Sequence, residues 1–92
     1  MYVILVYDIV VDEQGKKNLP KVFKICKKYL VHIQNSVFEG NIKESALYRL
    51  RKELEPLIRK ELDSVIVFSS RNEKWLAKEL WGTQEDKTSN FL

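Results

Sequence analysis

The stretch Tyr2-Val3-Ile4-Leu5-Val6-Tyr7-Asp8-Ile9-Val10-Val11 decides how this chain folds. A continuous apolar run rich in β-branched residues reads as a strand over residues 2–9, buried on both faces near the middle of a sheet. One carboxylate interrupts it. An acid on such a strand is costly to bury unless it is paired, protonated or bound to a cation. Its usual place is the strand end, where a sheet opens onto ligand sites. The alternative is that Asp8 caps a turn begun by Asp12-Glu13-Gln14-Gly15, since Asp is a common turn residue.

Working outward, Asn18 followed by Pro20 predicts a helix start, because Asn caps well and Pro is tolerated in a first turn. Leu19, Val22, Phe23, Cys26 and Leu30 then recur at helical spacing as an apolar stripe. Cys26 lies on that stripe and reads as packing. Lys17, Lys21, Lys24 and Lys28 recur at the same period on the other side. Residues 31–40 are extended in character, either one kinked strand or two short strands joined tightly at Asn35-Ser36. Asn41, with Glu44 three residues on in capping-box register, predicts a second helix. Its stripe is Leu47, Leu50, Leu54, Ile58 and Leu62, with Pro56 kinking or interrupting it and Asp63 ending it. Ser64-Val65-Ile66-Val67-Phe68-Ser69 reads as a final strand.

This order predicts an α+β fold: a ferredoxin-like βαββαβ sandwich over residues 1–70. Two helices would cover one sheet face, and the other face, left bare, calls for a partner. Residues 71–92 form a C-terminal extension. Trp75, Leu76, Leu80 and Trp81 are too apolar for a solvated tail, so the segment is expected to pack on the partner of a homodimer. Residues 82–90 are polar and linker-like before Phe91-Leu92.

A chain of 92 residues makes one domain. Its single cysteine rules out an internal disulfide framework and fits a reducing compartment. No apolar stretch is long enough to span a bilayer, and no basic region precedes the first apolar run. A cytoplasmic protein without a membrane partner is expected. The net charge is only +3, but six lysines and no acid lie between Gly15 and Leu30: Lys16, Lys17, Lys21, Lys24, Lys27 and Lys28. A local block of one sign suits phosphate contact better than a merely solvated face.

Three groups of residues carry a family resemblance. They are Val6-Tyr7-Asp8-Ile9; Lys21-Val22 with Lys27-Lys28-Tyr29; and Ile33-Gln34-Asn35-Ser36-Val37-Phe38-Glu39-Gly40, followed by a helix and Asp63-Ser64-Val65. In these the chain resembles the CRISPR-associated protein 2 family. The resemblance implies a ferredoxin-like homodimer that joins CRISPR-associated protein 1 in capturing foreign DNA as spacers. A C-terminal strand would cross to the partner. Some members act as divalent-metal-dependent endonucleases on RNA or double-stranded DNA, which makes Asp8 the catalytic and metal-binding residue for Mg²⁺, one from each subunit. Lys16, Lys17, Lys21, Lys24 and Lys28 would bind nucleic acid, and Tyr7, His32 and Phe38 would line the site. The chain departs from the family pattern where Leu19 replaces a basic residue, His32 replaces an Arg and Leu30 replaces a Gly. A toxin-type endoribonuclease of similar fold is the alternative.

Overall fold

The computed structural model describes residues 1–72, 79 and 81. Its elements are β1 (Tyr2–Asp8), α1 (Glu13–Tyr29), β2 (Val31–Gln34), β3 (Val37–Asn41), α2 (Glu44–Leu54), a single 3-10 turn (Glu55–Leu57) and β4 (Ser64–Ser70). The strands form one antiparallel sheet in the order β2-β3-β1-β4. This is the expected α+β arrangement, with the apolar run at its centre. The C-terminal packing expected of Trp75, Leu76 and Leu80 lies outside the described residues. Among the described residues, no helix is long and apolar enough to cross a membrane.

Alternation along β1 sends Val3, Leu5 and Tyr7 to one face, and Ile9 beyond the strand joins them in the core. There they meet Val22, Cys26 and Leu30 from α1 and its end, Phe38 from β3, and Leu50 and Leu54 from α2. Cys26 is fully buried, and burial pushes its thiol up to about 12. That fits packing, because the thiolate is the reactive form. The other face carries Tyr2, Ile4, Val6, Ile66 and Phe68; among the described residues no helix covers it, although Tyr2 is buried. Among the described residues β4 is an edge strand. Between it and α2 an apolar groove of about 630 Å³ stays open, lined by Leu5, Leu47, Leu50, Leu54, Val65 and Val67 among others.

Four local expectations need correction. The first helix starts five residues before Asn18: Asp12 is its N-cap and accepts the Gly15 N–H at 2.8 Å. Asn18 is instead a buried helix residue whose amide donates to the Leu57 carbonyl at 3.2 Å. Pro20 therefore sits inside α1, on its exposed side, where the freed Lys16 carbonyl can meet water. The second helix has no capping box. Asn41 is held in β3 opposite Tyr2, so Lys43 becomes the N-cap, with no side-chain cap bond, and Glu44 is the first helical residue.

The second helix also ends early, at Leu54. Pro56 has no N–H for the next turn, and the chain tightens into the 3-10 turn. Leu62 consequently falls off the buried stripe and is exposed, while Asp63 ends no helix. Residues 31–40 resolve into two strands joined by a tight turn. Asn35 takes a left-handed φ of 41°, which Asn tolerates better than most residues. A bulge between His32 and Gln34 absorbs one residue of β2.

Candidate metal and nucleic-acid site

Asp8 is the last residue of β1. It lies opposite Ser64, the first residue of β4, in the terminal pair of the ladder. On the other flank the Tyr7 N–H donates to the Ser36 carbonyl at 3.2 Å, which brings the Asn35-Ser36 turn to the same end of the sheet. Alternation places Asp8 on the uncovered face with Ile4 and Val6. It is exposed, and among the described residues its carboxylate has no hydrogen-bond or ion-pair partner. It caps no turn; Asp12 does that.

Two neighbouring acids, Asp63 and Asp12, are occupied. Asp63 is buried and accepts four hydrogen bonds: from the Val10 N–H (2.9 Å), the Arg59 N–H (2.9 Å), Arg59 Nε (2.9 Å) and Arg59 Nη2 (3.2 Å). The guanidinium of Arg59, first among these causes, holds the Asp63 carboxyl down to about 2. Arg59 also forks both Asp12 oxygens, at 2.8 and 2.9 Å, and donates to the Val10 carbonyl at 3.0 Å. The Gly15 N–H bond and the Arg59 fork together lower the Asp12 carboxyl. Gly15 allows this close approach, since a Cβ there would stand 1.8 Å from the Val10 carbonyl oxygen.

In sequence Asp63 reads as a helix stop and as part of a family motif, and Arg59 carries no role. Their i, i+4 spacing is the one visible signal of a pair.

Tyr7, His32 and Phe38 are not brought to Asp8. Tyr7 and Phe38 are buried on the helix side with ring centroids 6.0 Å apart, and Phe23 meets the Phe38 ring edge-on at 5.4 Å. His32 packs against Phe23 at 4.8 Å and Phe38 at 5.0 Å, and its Nε2 lies 2.8 Å from the Asn35 carbonyl. Burial also raises the Tyr7 phenol, so it stays neutral. These three residues form an aromatic cluster under the sheet.

All six lysines of α1 are exposed. Lys28 is paired with Glu53 at 2.6 Å, a hydrogen bond that raises its ammonium, and Lys27 lies 5.8 Å from the centre of the Phe23 ring. Lys16, Lys17, Lys21 and Lys24 have no ion-pair partner among the described residues. The helix begins at the Asp8 end of the sheet, so Lys16 and Lys17 stand at that end. From Lys17 to Lys28 the row runs about 16 Å at the helical rise per residue.

Among the described residues no three or more His, Cys, Asp or Glu cluster as a metal site. At this end of the sheet Asp8 is the carboxylate that ends a strand; Glu13, the first residue of α1, is likewise exposed with no hydrogen-bond or ion-pair partner among the described residues. Mg²⁺ suits such a sparse set, because it takes one or two carboxylates and keeps several waters. The donor chemistry fits if two copies each bring one Asp8.

Fold and site define a ferredoxin-like α+β subunit with an exposed acid ending its central first strand and a lysine row on its first helix. The chain belongs to the family described as CRISPR associated protein Cas2, whose model matches residues 1–78. A relative from Fusobacterium nucleatum, named CRISPR-associated endoribonuclease Cas2, is 59% identical over 92 residues, covering 100% of this chain and 87% of its own. One of the same description from Moorella thermoacetica is 42% identical over 97% of this chain and 99% of its own. The crystal structure of Streptococcus pyogenes Cas2 at pH 6.5 superposes with a TM-score of 0.73 at 28% identity, covering 88% of this chain and 100% of that one. Family membership favours the CRISPR reading over the toxin-type alternative.

Proposed function

We propose that this chain works as a homodimer in CRISPR spacer acquisition beside CRISPR-associated protein 1, with its lysine row holding nucleic acid. Asp8 of each copy binds Mg²⁺ for phosphodiester cleavage of RNA or double-stranded DNA. The supporting observation is Asp8 itself: an exposed carboxylate with no partner among the described residues, on the rim of an apolar sheet face that no helix of those residues covers. The relatives' name, endoribonuclease, makes RNA the first substrate to test.

In this reading two copies meet through the face carrying Ile4, Val6, Ile66 and Phe68. The apolar segment around Trp75–Trp81 is proposed to pack on the partner. Bound Mg²⁺ supplies charge neutralisation at the phosphoryl group and an activated water. Asp8 provides the carboxylate oxygens. Lys16 and Lys17, at the same end, hold backbone phosphates as point charges without the bidentate fork of Arg. In the metal-free dimer the two Asp8 charges repel each other.

The test is a nuclease assay of wild type and Asp8→Asn on RNA and on double-stranded DNA, with and without Mg²⁺. Cleavage is expected only from wild type with Mg²⁺, while the metal-free Asp8→Asn dimer melts at the same temperature or higher. Wild-type cleavage by a folded Asp8→Asn protein would overturn the assignment.

A further inference from the structure

We infer that Arg59 and Asp63 are positioning residues for Asp8, forming a clamp that fixes the end of β1 where metal and phosphate would meet; this rests on the metal reading of Asp8 above. Asp8 and Ser64 are the last pair of the β1–β4 ladder. A terminal pair has no further ladder bond to hold it, and strand ends fray unless something beyond them is tied.

Here the tie lies just beyond on both strands. Asp63, adjacent to Ser64 in the chain, accepts the Val10 N–H at 2.9 Å. Arg59 donates to the Val10 carbonyl at 3.0 Å. Both backbone groups of the residue two positions after Asp8 are thus held by side chains from the segment leading into β4. The same guanidinium forks Asp12, the cap of α1, so the start of the lysine helix is fixed to the same point. Gly15 packs against the Val10 carbonyl and the Arg59 guanidinium, where a Cβ would collide with the carbonyl oxygen.

A carboxylate that must meet a cation with a partner's carboxylate needs its backbone held to a fraction of an ångström. The clamp supplies this without touching the ion. It engages Asp12 and Asp63 and leaves Asp8 free of Arg59.

The experiment measures Mn²⁺ binding to the full-length protein by electron paramagnetic resonance, with Mn²⁺ standing in for Mg²⁺ at oxygen ligands. Wild type, Asp8→Asn and Arg59→Lys are compared at a temperature where all remain folded. Arg59→Lys is expected to weaken Mn²⁺ binding about 10- to 100-fold, the scale seen when groups that orient a metal ligand are lost. Millimolar guanidinium ion added to Arg59→Ala should restore part of it. A clamp that serves only stability would lower the melting temperature and leave Mn²⁺ binding by the folded protein unchanged. That outcome overturns the inference.

Asp8→Asn separates the two claims. If it binds Mn²⁺ as wild type does, the metal reading falls and the inference with it. If it loses Mn²⁺ while Arg59→Lys keeps it, only the inference falls. Should Arg59→Lys fail to fold, Asp63→Asn is read by the same criteria, since it keeps an acceptor for the Val10 N–H and loses the charge that holds Arg59.

Discussion

On the helix side of β1, Val3, Leu5 and Tyr7 are buried beneath α1 and α2. On the opposite side Ile4 and Val6 are only half-buried, and their β4 neighbours Ile66 and Phe68 are 51% and 53% exposed. The residue types on the two faces are much alike. What separates them is the cover: βαββαβ connections place α1 and α2 on one side and no element of the described residues on the other. A strand whose sequence asks for burial on both faces is therefore fully buried on the helix side, while on the other side Tyr2 is buried and Ile4 and Val6 are only half-buried.

The comparison breaks most sharply by substitution on each side. Leu5→Ala, on the covered face, should cost about 3 kcal/mol in urea denaturation, through lost transfer energy and a cavity. Phe68→Asp, on the uncovered face, should keep the circular-dichroism spectrum of the folded chain and convert dimer to monomer in light scattering. A dimer that survives Phe68→Asp would remove the uncovered face from the interface.

Two acids at one end of the sheet repeat the contrast on a smaller scale. Asp63 is buried with four donors around it; Asp8 is exposed with none among the described residues. Asp63→Ala leaves Arg59 and the Val10 N–H without their acceptor and should destabilise the fold by about 3 kcal/mol. Asp8→Asn should change stability by less than about 0.5 kcal/mol. The same pair predicts a pH dependence. The Asp63 carboxyl sits at about 2 in the folded chain, against about 4 for an unfolded carboxylate. A lowered pKa means the unfolded chain binds the proton first on acidification. The stability from Asp63 is thus complete above about pH 4 and is lost as pH falls through about 2. Urea midpoints followed across this window should slope in wild type and flatten in Asp63→Asn.

What the sequence made legible follows the range of the interactions. The run from Tyr2 to Asp8 was readable because its composition alone asks for a central strand, and the family motifs around Asp8 and residues 33–40 are contiguous. The start of α1 was not. Asn18 looks like a cap locally, but its amide is used by the Leu57 carbonyl, a partner 39 residues away. Asp12 looks like a turn residue until Arg59, 47 residues on, closes on it. Tyr7, His32 and Phe38 lie near Asp8 or in the matching motif, yet strand alternation and core packing carry them to the helix side. Neighbours in a motif need not share a face. Asn41 illustrates the same limit: its capping potential was visible, whereas its pairing with Tyr2, which removes it from the helix, was not.

The smallest expected effect concerns the outer surface of the covered side, where six lysines look equivalent in sequence and two are engaged in the structure. Lys24 is exposed and without an ion-pair partner among the described residues, so each phosphate it contacts should release a counterion. Lys24→Ala should reduce the slope of log affinity against log salt by about 0.9 on double-stranded DNA, measured by fluorescence anisotropy between about 50 and 200 mM salt. Lys28 is held by Glu53, which also accepts from the Tyr29 hydroxyl. Lys28→Ala alone would be ambiguous, because it exposes the Glu53 charge to the nucleic acid. The double variant Lys28→Gln with Glu53→Gln removes the pair without changing net charge. If Lys28 stays with Glu53 when nucleic acid is bound, the double variant keeps the wild-type slope. If Lys28 leaves Glu53 for a phosphate, the double variant loses as much slope as Lys24→Ala. An exposed, solvent-screened pair holds its partners only weakly, and a duplex presents a dense row of phosphates. Lys28 therefore keeps to Glu53 only if the path of the nucleic acid misses its end of α1. A wild-type slope in the double variant would place that path at the Lys16, Lys17 and Lys21 end of the helix, beside Asp8.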